Sequence, residues 1–326
     1  MRVAVVNCSA PHYNLGARKL ADWLRACGDD VTEFEGDHGM FMVGFDRVAV
    51  SCVFSWHAPV AREIALRVRD SAEVWAGGPG LFALAKWWKE EVGTELTIGV
   101  DRRFDRQRGA YKMTFASRGC PVGCWFCIVP KMEGTEFTLD WDFMPAPVLC
   151  DNNLSALPAD FQRHIVSRYT ESGVPLMDAN SGFEPRTFTA ETVEIWSAAL
   201  KGPWRFAFDD QGEVEEVYAV TRLLKDVSPR KKRVYVLAGN EPIASCYERA
   251  LKVIEWGCEP HCQFVLPLNW LGDPRTLKPR FDWTYDLGRD FCRFFNGHIW
   301  RKARLSEYVP RVDGKAPFNE AMLGAA

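Results

Sequence analysis

The stretch Ser117-Arg118-Gly119-Cys120-Pro121-Val122-Gly123-Cys124-Trp125-Phe126-Cys127 contains three closely spaced cysteines. Their spacing is C-x3-C-x2-C, and they lie in a segment with glycine and proline directly after a predicted strand. Such a loop can curl so that three thiolates converge, and three ligands for four irons leave one iron with an open coordination position. An open position is typical of a reactive metal site. The motif therefore predicts that Cys120, Cys124 and Cys127 hold a [4Fe-4S] cluster.

A structural zinc site is the alternative interpretation of the same cysteines. Zinc would need a fourth ligand, such as Cys150 or a histidine. Structural zinc sites more often use paired C-x2-C knuckles, and no second pair occurs in this sequence. A non-catalytic zinc-binding or scaffold module stays open as the second functional hypothesis.

The cysteine stretch closely resembles the radical S-adenosylmethionine (SAM) superfamily, whose hallmark is C-x3-C-x-aromatic-C. Phe126 occupies the aromatic position, where the family packs a ring near the adenine. The resemblance extends over roughly residues 112–270. It implies an enzyme in which SAM fills the open position and is reductively cleaved to methionine and a 5′-deoxyadenosyl radical. The electron would come from a reductant such as flavodoxin or ferredoxin, and the substrate is unknown.

Strand-like and helix-like segments alternate on both sides of the cysteine loop. Before it, short apolar strands are predicted at residues 2–7, 31–34, 47–53 and 73–76, with helical spacing between them. From residue 111 onward six further strand–helix units are predicted, with strands at residues 112–116, directly before the loop, and at 148–150, 174–177, 205–208, 234–237 and 263–266. This repetition is typical of parallel sheets. We predict an α/β chain with an N-terminal Rossmann-like doubly wound domain followed by a partial (β/α)6 TIM barrel.

Three regions follow from this pattern: 1–100, a Rossmann-like domain; 101–275, the radical SAM partial barrel; and 276–326, a C-terminal helix and tail. The first boundary falls in residues 101–109, DRRFDRQRG, which has four arginines and no apolar period. A solvated linker is one interpretation of this segment. A basic lip over an anionic substrate is the other.

Polar residues follow the predicted barrel strands, at the edge where barrels place their sites. The family resemblance implies SAM-binding roles for them. Asp151 and Asn153 match the strand end that reaches the SAM amino group, and Arg186 matches a residue that pairs with a carboxylate of SAM or substrate. Asp209 and Asp210 are candidates for the ribose hydroxyls or for acid–base chemistry. Asn240 is the polar candidate beside the adenine.

Each of these residues also has a purely structural interpretation. Asp151 and Asn153 can close a strand with an Asx turn. Arg186 can cap a helix or bridge to the surface, and Asp209 or Asp210 can cap the next helix.

The N-terminal region resembles the cobalamin-binding half found before the barrel in one radical SAM subgroup. The resemblance rests on Pro11-His12-Tyr13-Asn14-Leu15-Gly16, residues 48–53 and Gly77-Gly78-Pro79. Glycines at strand ends let a flat cofactor approach the backbone. The Asp-x-His-x-x-Gly box of many cobalamin domains is missing, and His12 and His57 lie outside that pattern. Cobalamin is therefore a possible cofactor, with methyl transfer as the leading reaction if it binds. A degenerate Rossmann-like domain is the alternative.

Composition restricts the other function classes. Apolar residues make up 47% and charged residues 25%, and the net charge is −3, so nucleic acid is not indicated as a partner. No apolar run of the sequence is long enough to predict a membrane span or a signal peptide, so a cytoplasmic protein is expected. The odd count of 11 cysteines argues against a disulfide framework. Cys258 and Cys262 flank His261; we expect buried, inert thiols there, with an auxiliary metal site as the alternative.

Overall fold

The structure is a computed structural model that describes residues 1–39, 44–278, 280–310 and 314–324. The chain divides into two compact units. Unit 1 comprises Met1–Ala146 and Pro267–Leu271, and unit 2 comprises Pro147–Leu266 and Gly272–Ala326. No helix within the described ranges combines the length and the apolar character that crossing a membrane requires.

The strands of unit 1 are β1 (Arg2–Asn7), β2 (Asp30–Glu35), β3 (Arg47–Ser51), β4 (Glu73–Gly77), β5 (Met113–Thr114), β6 (Ser117–Arg118) and β7 (Thr138–Leu139). The first four form a parallel sheet in the order β2-β1-β3-β4. The helices of unit 1 are α1 (Leu15–Ala26), α2 (Ala58–Val68), α3 (Pro79–Phe82), α4 (Ala85–Val92), α5 (Arg102–Asp105) and α6 (Val129–Met132).

Alternating residues of β1 enter two different apolar cores. Ala4 and Val6 pack in a cluster with residues of α2 and α4, whereas Val3 and Val5 pack in a cluster with α1. All four side chains are at most 1% exposed. A strand that is buried on both faces is apolar along its whole length, which explains the unbroken run VAVV.

Two glycines after β4 are required by close backbone packing. A Cβ atom on Gly78 would lie 2.4 Å from the carbonyl oxygen of Cys52, and one on Gly80 would lie 2.6 Å from the carbonyl carbon of Phe54. Gly78 also has a φ of 102°, which side-chain-bearing residues rarely adopt. Within unit 1 these two glycines let the segment after β4 pack closely against the segment after β3.

In the described residues of unit 2, five strands alternate with five α-helices. The strands are β8 (Val148–Leu149), β9 (Asp178–Ala179), β10 (Trp204–Phe208), β11 (Lys232–Ala238) and β12 (Glu259–Phe264). The helices are α7 (Ala159–Ser172), α8 (Ala190–Ser197), α9 (Val214–Leu223), α10 (Ile243–Glu255) and α11 (Tyr285–Asn296). β8 pairs with β9, and β10 pairs with β11 and β11 with β12, all in parallel.

The predicted α/β class with parallel sheets is confirmed. The finer description, a Rossmann-like domain followed by a partial barrel with boundaries at residues 100 and 275, stays a prediction. Isolated parallel bridges at Leu176–Leu200 and Phe183–Phe206 do link the chain around β9 to the chain around β10.

Arg249 connects the carboxyl ends of two strands in unit 2. It lies on the buried face of α10 and is 0% exposed. Its guanidinium donates to the carbonyl oxygen of Phe208 at the end of β10 and, at 2.7 Å, to that of Leu237 in β11. The carboxylate of Glu241 lies 3.0 Å away. The charge is thus neutralised and the buried donors mostly satisfied, as burial of an arginine requires.

Replacing Arg249 tests how far this edge depends on it. We expect Arg249→Ala to lower the free energy of unfolding by about 3 kcal/mol, because two buried carbonyl groups and Glu241 lose their partner. Urea titration measures the change. Lys252→Ala on the same helix is the control, since its pair with Glu248 is partly exposed and contributes about 0.5 kcal/mol or less. Equal stabilities of the two variants would contradict a structural role for Arg249.

Candidate functional site

The cysteine loop of unit 1 joins β6 to α6, and its conformation depends on glycine. Gly119 has a φ of 90°, and a Cβ atom there would lie 2.1 Å from the carbonyl oxygen of Glu136. Gly123 has a φ of 70° in open space. The first glycine is therefore required by both backbone conformation and space, and the second by conformation alone.

Glu133 holds the start of the loop in place. Its carboxylate, only 3% exposed, accepts a hydrogen bond of 3.0 Å from the Gly119 backbone and pairs with Arg118 at 3.2 Å. Arg118 also pairs with Asp105 at 2.5 Å and lies 3.4 Å from the centre of the Phe115 ring. The chain next to the first cysteine is thus fixed by partly buried charge pairs, a stronger constraint than exposed pairs provide.

The donor chemistry of the loop fits a metal cluster. Cys120, Cys124 and Cys127 are all partly exposed, and the backbone N–H of Val129 donates to the Cys127 sulfur at 3.4 Å. Hydrogen bonds to sulfur are one of the means by which proteins tune iron–sulfur clusters. Within the part of the chain that the structure describes, no group of three or more His, Cys, Asp or Glu side chains is arranged to hold a metal ion. The fit therefore rests on the donor set and the loop conformation.

Cysteines outside the loop have a different environment. Burial raises the pKa of Cys52 and of Cys258 to about 11 each, and it raises the pKa of Cys262 well above its ordinary value. Cys258 and Cys262 are 4% and 1% exposed. These thiols are poor metal ligands and poor nucleophiles in this environment, in line with the expected inert role.

Phe126 contacts the residue before it in the loop. Its ring meets that of Trp125 edge-to-face, with the centroids 5.4 Å apart, and the Trp125 side chain is 65% exposed. The aromatic position of the motif is therefore occupied by a half-buried ring beside an exposed one.

In unit 2, the loops after β8 and β9 are joined by hydrogen bonds. Asp151 and Asn153 are 0% and 4% exposed, and Asn153 accepts a hydrogen bond from the Ala156 backbone at 3.2 Å. The hydroxyl of Ser155 accepts from the backbone N–H of Glu184 and donates to its carbonyl oxygen. Asn153 thus makes the local turn contact that the structural interpretation predicts, inside a buried polar loop.

Arg186 is a surface residue within electrostatic range of Glu213. Its side chain is 47% exposed and bonds the Glu184 carboxylate at 2.5 Å, within the short helix Pro185–Thr187. The structure therefore shows the local surface bridge that was the alternative to a carboxylate-binding role.

Asp209, Asp210 and Asn240 meet at the carboxyl ends of β10 and β11. The Asn240 amide donates to the carbonyl oxygen of Asp209 at 2.6 Å, and the Asp209 backbone donates to the Glu213 carboxylate at 2.6 Å. Asp210 caps the short helix Gln211–Glu213 through the Gly212 backbone. Only Asp210 is thus accounted for as a cap, which leaves the Asp209 carboxylate for another role.

The Asp209 carboxyl group has a pKa close to neutral pH. Burial raises its pKa to about 7, with a further increase from Glu213 and an opposing effect of Arg249. Burial also raises the pKa of Glu213. A carboxyl group that titrates near neutral pH can exchange a proton or donate a hydrogen bond at physiological pH, which an ordinary aspartate does not.

Sequence reasoning missed Glu133, Arg249 and Glu213. Arg249 did leave a signal, because it falls among the apolar positions of an amphipathic helix between Cys246 and Val253. Glu133 left none, since its contact with Gly119 depends on how the chain returns after α6.

The raised pKa of Asp209 predicts a pH-dependent stability. Between about pH 4 and 7 the folded chain keeps a proton that the unfolded chain has released, so the free energy of unfolding falls as pH rises across this range. Asp209→Asn removes this loss. Relative to wild type, the variant should gain about 1–3 kcal/mol between pH 5 and pH 8.5 in urea titrations.

Asp210→Asn is the matched control for that measurement. Its side chain is an exposed cap and the smallest of the acidic contributions to the pKa of Asp209, so its difference from wild type should grow far less with pH than that of Asp209→Asn. A difference between Asp209→Asn and wild type that stays constant with pH would mean that Asp209 is already ionised in the folded chain.

No protein-family model matches this sequence, and no curated protein matches it. Solved structures do. One is the radical S-adenosylmethionine methyltransferase TsrM from Kitasatospora setae, solved with cobalamin and a [4Fe-4S] cluster bound: 16% identity, TM-score 0.59, covering 82% of this chain and 77% of TsrM. Another is the cobalamin-dependent S-adenosylmethionine radical enzyme OxsB, solved with aqua-cobalamin and S-adenosylmethionine: 13% identity, TM-score 0.49, covering 78% of this chain and about half (51%) of OxsB. Over about four-fifths of its length, this chain is therefore similar in fold to TsrM.

Proposed function

We propose that this protein is a radical SAM enzyme that reductively cleaves S-adenosylmethionine to methionine and a 5′-deoxyadenosyl radical. The observation that carries the proposal is the loop with Cys120, Cys124 and Cys127, three partly exposed thiols at C-x3-C-x2-C spacing, in a chain with the fold of TsrM. The substrate and the reaction that follows cleavage are open, and a flavodoxin or ferredoxin is the proposed reductant.

The three cysteines would hold a [4Fe-4S] cluster, which when bound supplies the electron that cleaves SAM. The buried contacts of Glu133 keep the start of the loop fixed while its thiols take up their ligand positions. Phe126 would pack near the adenine. A prearranged loop lowers the conformational cost of binding the cluster.

The strand ends of unit 2 would bind the polar groups of SAM. Asp151 and Asn153 offer a buried carboxylate and a buried amide for the amino group, and Asn240 offers an amide beside the adenine. Asp209 would accept hydrogen bonds from ribose hydroxyls when ionised and donate one when protonated. Arg186 would reach a carboxylate only after release from Glu184, so its role is the weakest of the set.

Unit 1 would bind cobalamin, and methyl transfer is then the leading reaction. The segments that follow β1 and β3 carry a cluster of aromatic side chains that includes two histidines. The rings of Phe54 and Trp56 stack at 4.5 Å, Trp56 is 64% exposed, and the ring centroids of His12 and His57 lie 6.3 Å apart. Burial, and next the nearby His12, lowers the pKa of His57, so its imidazole is neutral and able to bind a metal at neutral pH. An exposed flat ring fits the face of a planar cofactor.

The finer fold belongs to the same proposal. Unit 1 would be the Rossmann-like cofactor domain, and the strands of unit 2 would form most of a partial (β/α)6 barrel whose carboxyl ends bind SAM. Cytoplasmic location fits a cluster that needs reduced thiols.

The first experiment is iron, sulfide and cobalt analysis of anaerobically reconstituted protein, with a dithionite-driven assay for 5′-deoxyadenosine. We expect about four irons per chain and 5′-deoxyadenosine in the wild type. Cys124→Ala should lose both. Cys27→Ala replaces an exposed cysteine at the end of α1 and should retain both.

Each outcome has a distinct meaning. Bound cobalt together with iron would support methyl transfer. Zinc without iron, and no cleavage of SAM, would mean that the cysteine loop is structural and that the chain is a zinc-binding module. Normal cleavage by Cys124→Ala would also refute the proposal.

A further inference from the structure

The strands β10, β11 and β12 of unit 2 present two very different faces. Register pairs Arg205 with Arg233, Arg233 with Glu259 and Tyr235 with His261. In a parallel sheet, paired residues point to the same side, so these five side chains share one face. The alternate residues Phe206, Val234, Val236 and Cys262 are at most 3% exposed and belong to the apolar core. A polar, half-buried face therefore lies opposite a fully apolar one.

The charges on the polar face do not balance. Asp178 pairs with Arg205 at 2.6 Å, and Glu259 pairs with Arg301 at 2.6 Å. The backbone of Arg233 belongs to the sheet, but its side chain forms neither a hydrogen bond nor an ion pair among the residues that the structure describes. Both carboxylates are paired with other arginines, so the half-buried Arg233 is the cation of this face that has no ion-pair partner of its own among the described residues.

The groups around Arg233 can complete an anion site. Tyr235, whose hydroxyl bonds the Arg205 guanidinium at 2.5 Å, places its ring 4.9 Å from that of His261. Burial, followed by the positive charges of Arg233, Arg205 and the nearby His298, lowers the pKa of His261. Asp178 is the acidic group that faces Arg205 and Arg233, and burial raises its pKa despite both arginines. A half-buried cation without a partner is costly unless an anion accompanies it.

We propose that this face binds an anionic group of the substrate, a carboxylate or a phosphate, with Arg233 as the principal contact and His261 as the second. The role as a substrate site rests on the proposed function, whereas the anion site itself does not. A guanidinium binds either anion through two parallel hydrogen bonds, and a nearby histidine adds a third when protonated.

The position of the site along the strands suits a substrate. Arg205 lies four residues before Asp209, which is about 13 Å along an extended strand. A substrate anchored by its anionic group at the level of Arg205 and Arg233 can extend its other end toward the carboxyl edge, where the SAM-binding residues are proposed. Orientation by a remote charged group is a common way to position a reacting carbon.

NMR of the histidine side chains in the full reconstituted chain, with sulfate as the probe, tests the inference. The chain has 6 histidines, so the spectrum is simple, and His261→Gln assigns the resonance of interest. We expect a saturable shift of the His261 signal on sulfate addition and a rise of the His261 pKa, because a bound anion favours the imidazolium. A parallel titration with acetate distinguishes a carboxylate site from one that prefers a tetrahedral anion.

Variants of two neighbouring arginines provide the control. Arg233→Ala should weaken sulfate binding at His261 at least about tenfold, and Arg233→Lys should recover part of the affinity. Arg230→Ala removes an exposed arginine three residues earlier, in the turn before β11, and should leave the affinity unchanged. Circular dichroism of each variant verifies that it is folded.

The results separate this inference from the proposed function. No saturable response of His261, or equal losses in Arg233→Ala and Arg230→Ala, overturns the anion site, even if the chain binds iron and cleaves SAM. A sulfate response that requires Arg233 in a chain without iron would support the anion site while refuting the proposed radical SAM function.

Discussion

The carboxyl edge of unit 2 depends on one buried charge. The guanidinium of Arg249 bonds the carbonyl oxygen at the end of β10 and one near the end of β11, and it pairs with Glu241. Asn240, on the loop after β11, bonds the backbone of Asp209 after β10, so the polar residues of both loops are positioned around this arginine. An arginine in this place fixes two strand ends at once and also moderates the local field. Without its positive charge, Asp209 would lose the group that offsets its repulsion from Glu213 in this buried environment.

The same arrangement explains why one carboxyl group of this chain has a pKa near neutral pH. Burial makes ionisation of Asp209 unfavourable, and the acidic neighbours Glu213, Glu184 and Asp210 add to this effect. Arg249 opposes them without cancelling them, because its hydrogen bonds are directed to backbone carbonyl groups. A site that keeps one acid protonated and its neighbour available as an acceptor can bind a polyhydroxylated ligand by both donating and accepting hydrogen bonds.

Sequence patterns predicted the α/β class, the parallel pairing and the cysteine loop, because each depends on spacing within a short segment. The strands are less well predicted where apolar content and pairing disagree. A strand is expected over residues 174–177, yet the paired residues are Asp178–Ala179 and Met177 is 52% exposed. Hydrogen bonding to the adjacent strand determines where a strand begins and ends, and the apolar pattern of the sequence does not contain that information. For the same reason, the site residues contributed by tertiary contacts, such as Glu133, have no local signature, while Arg249 has only a weak one.

The two faces of the β10–β11–β12 sheet have separate evolutionary freedom. Because successive residues of a strand point to opposite sides, every second position contributes to the core and the positions between contribute to the polar face. Substitutions at Arg205, Arg233, Tyr235 or His261 change the charge and shape of that polar face without removing a side chain from the apolar core. Descendants of such a chain can therefore acquire new ligands by changing one residue at a time, while the residues that maintain the fold stay as they are.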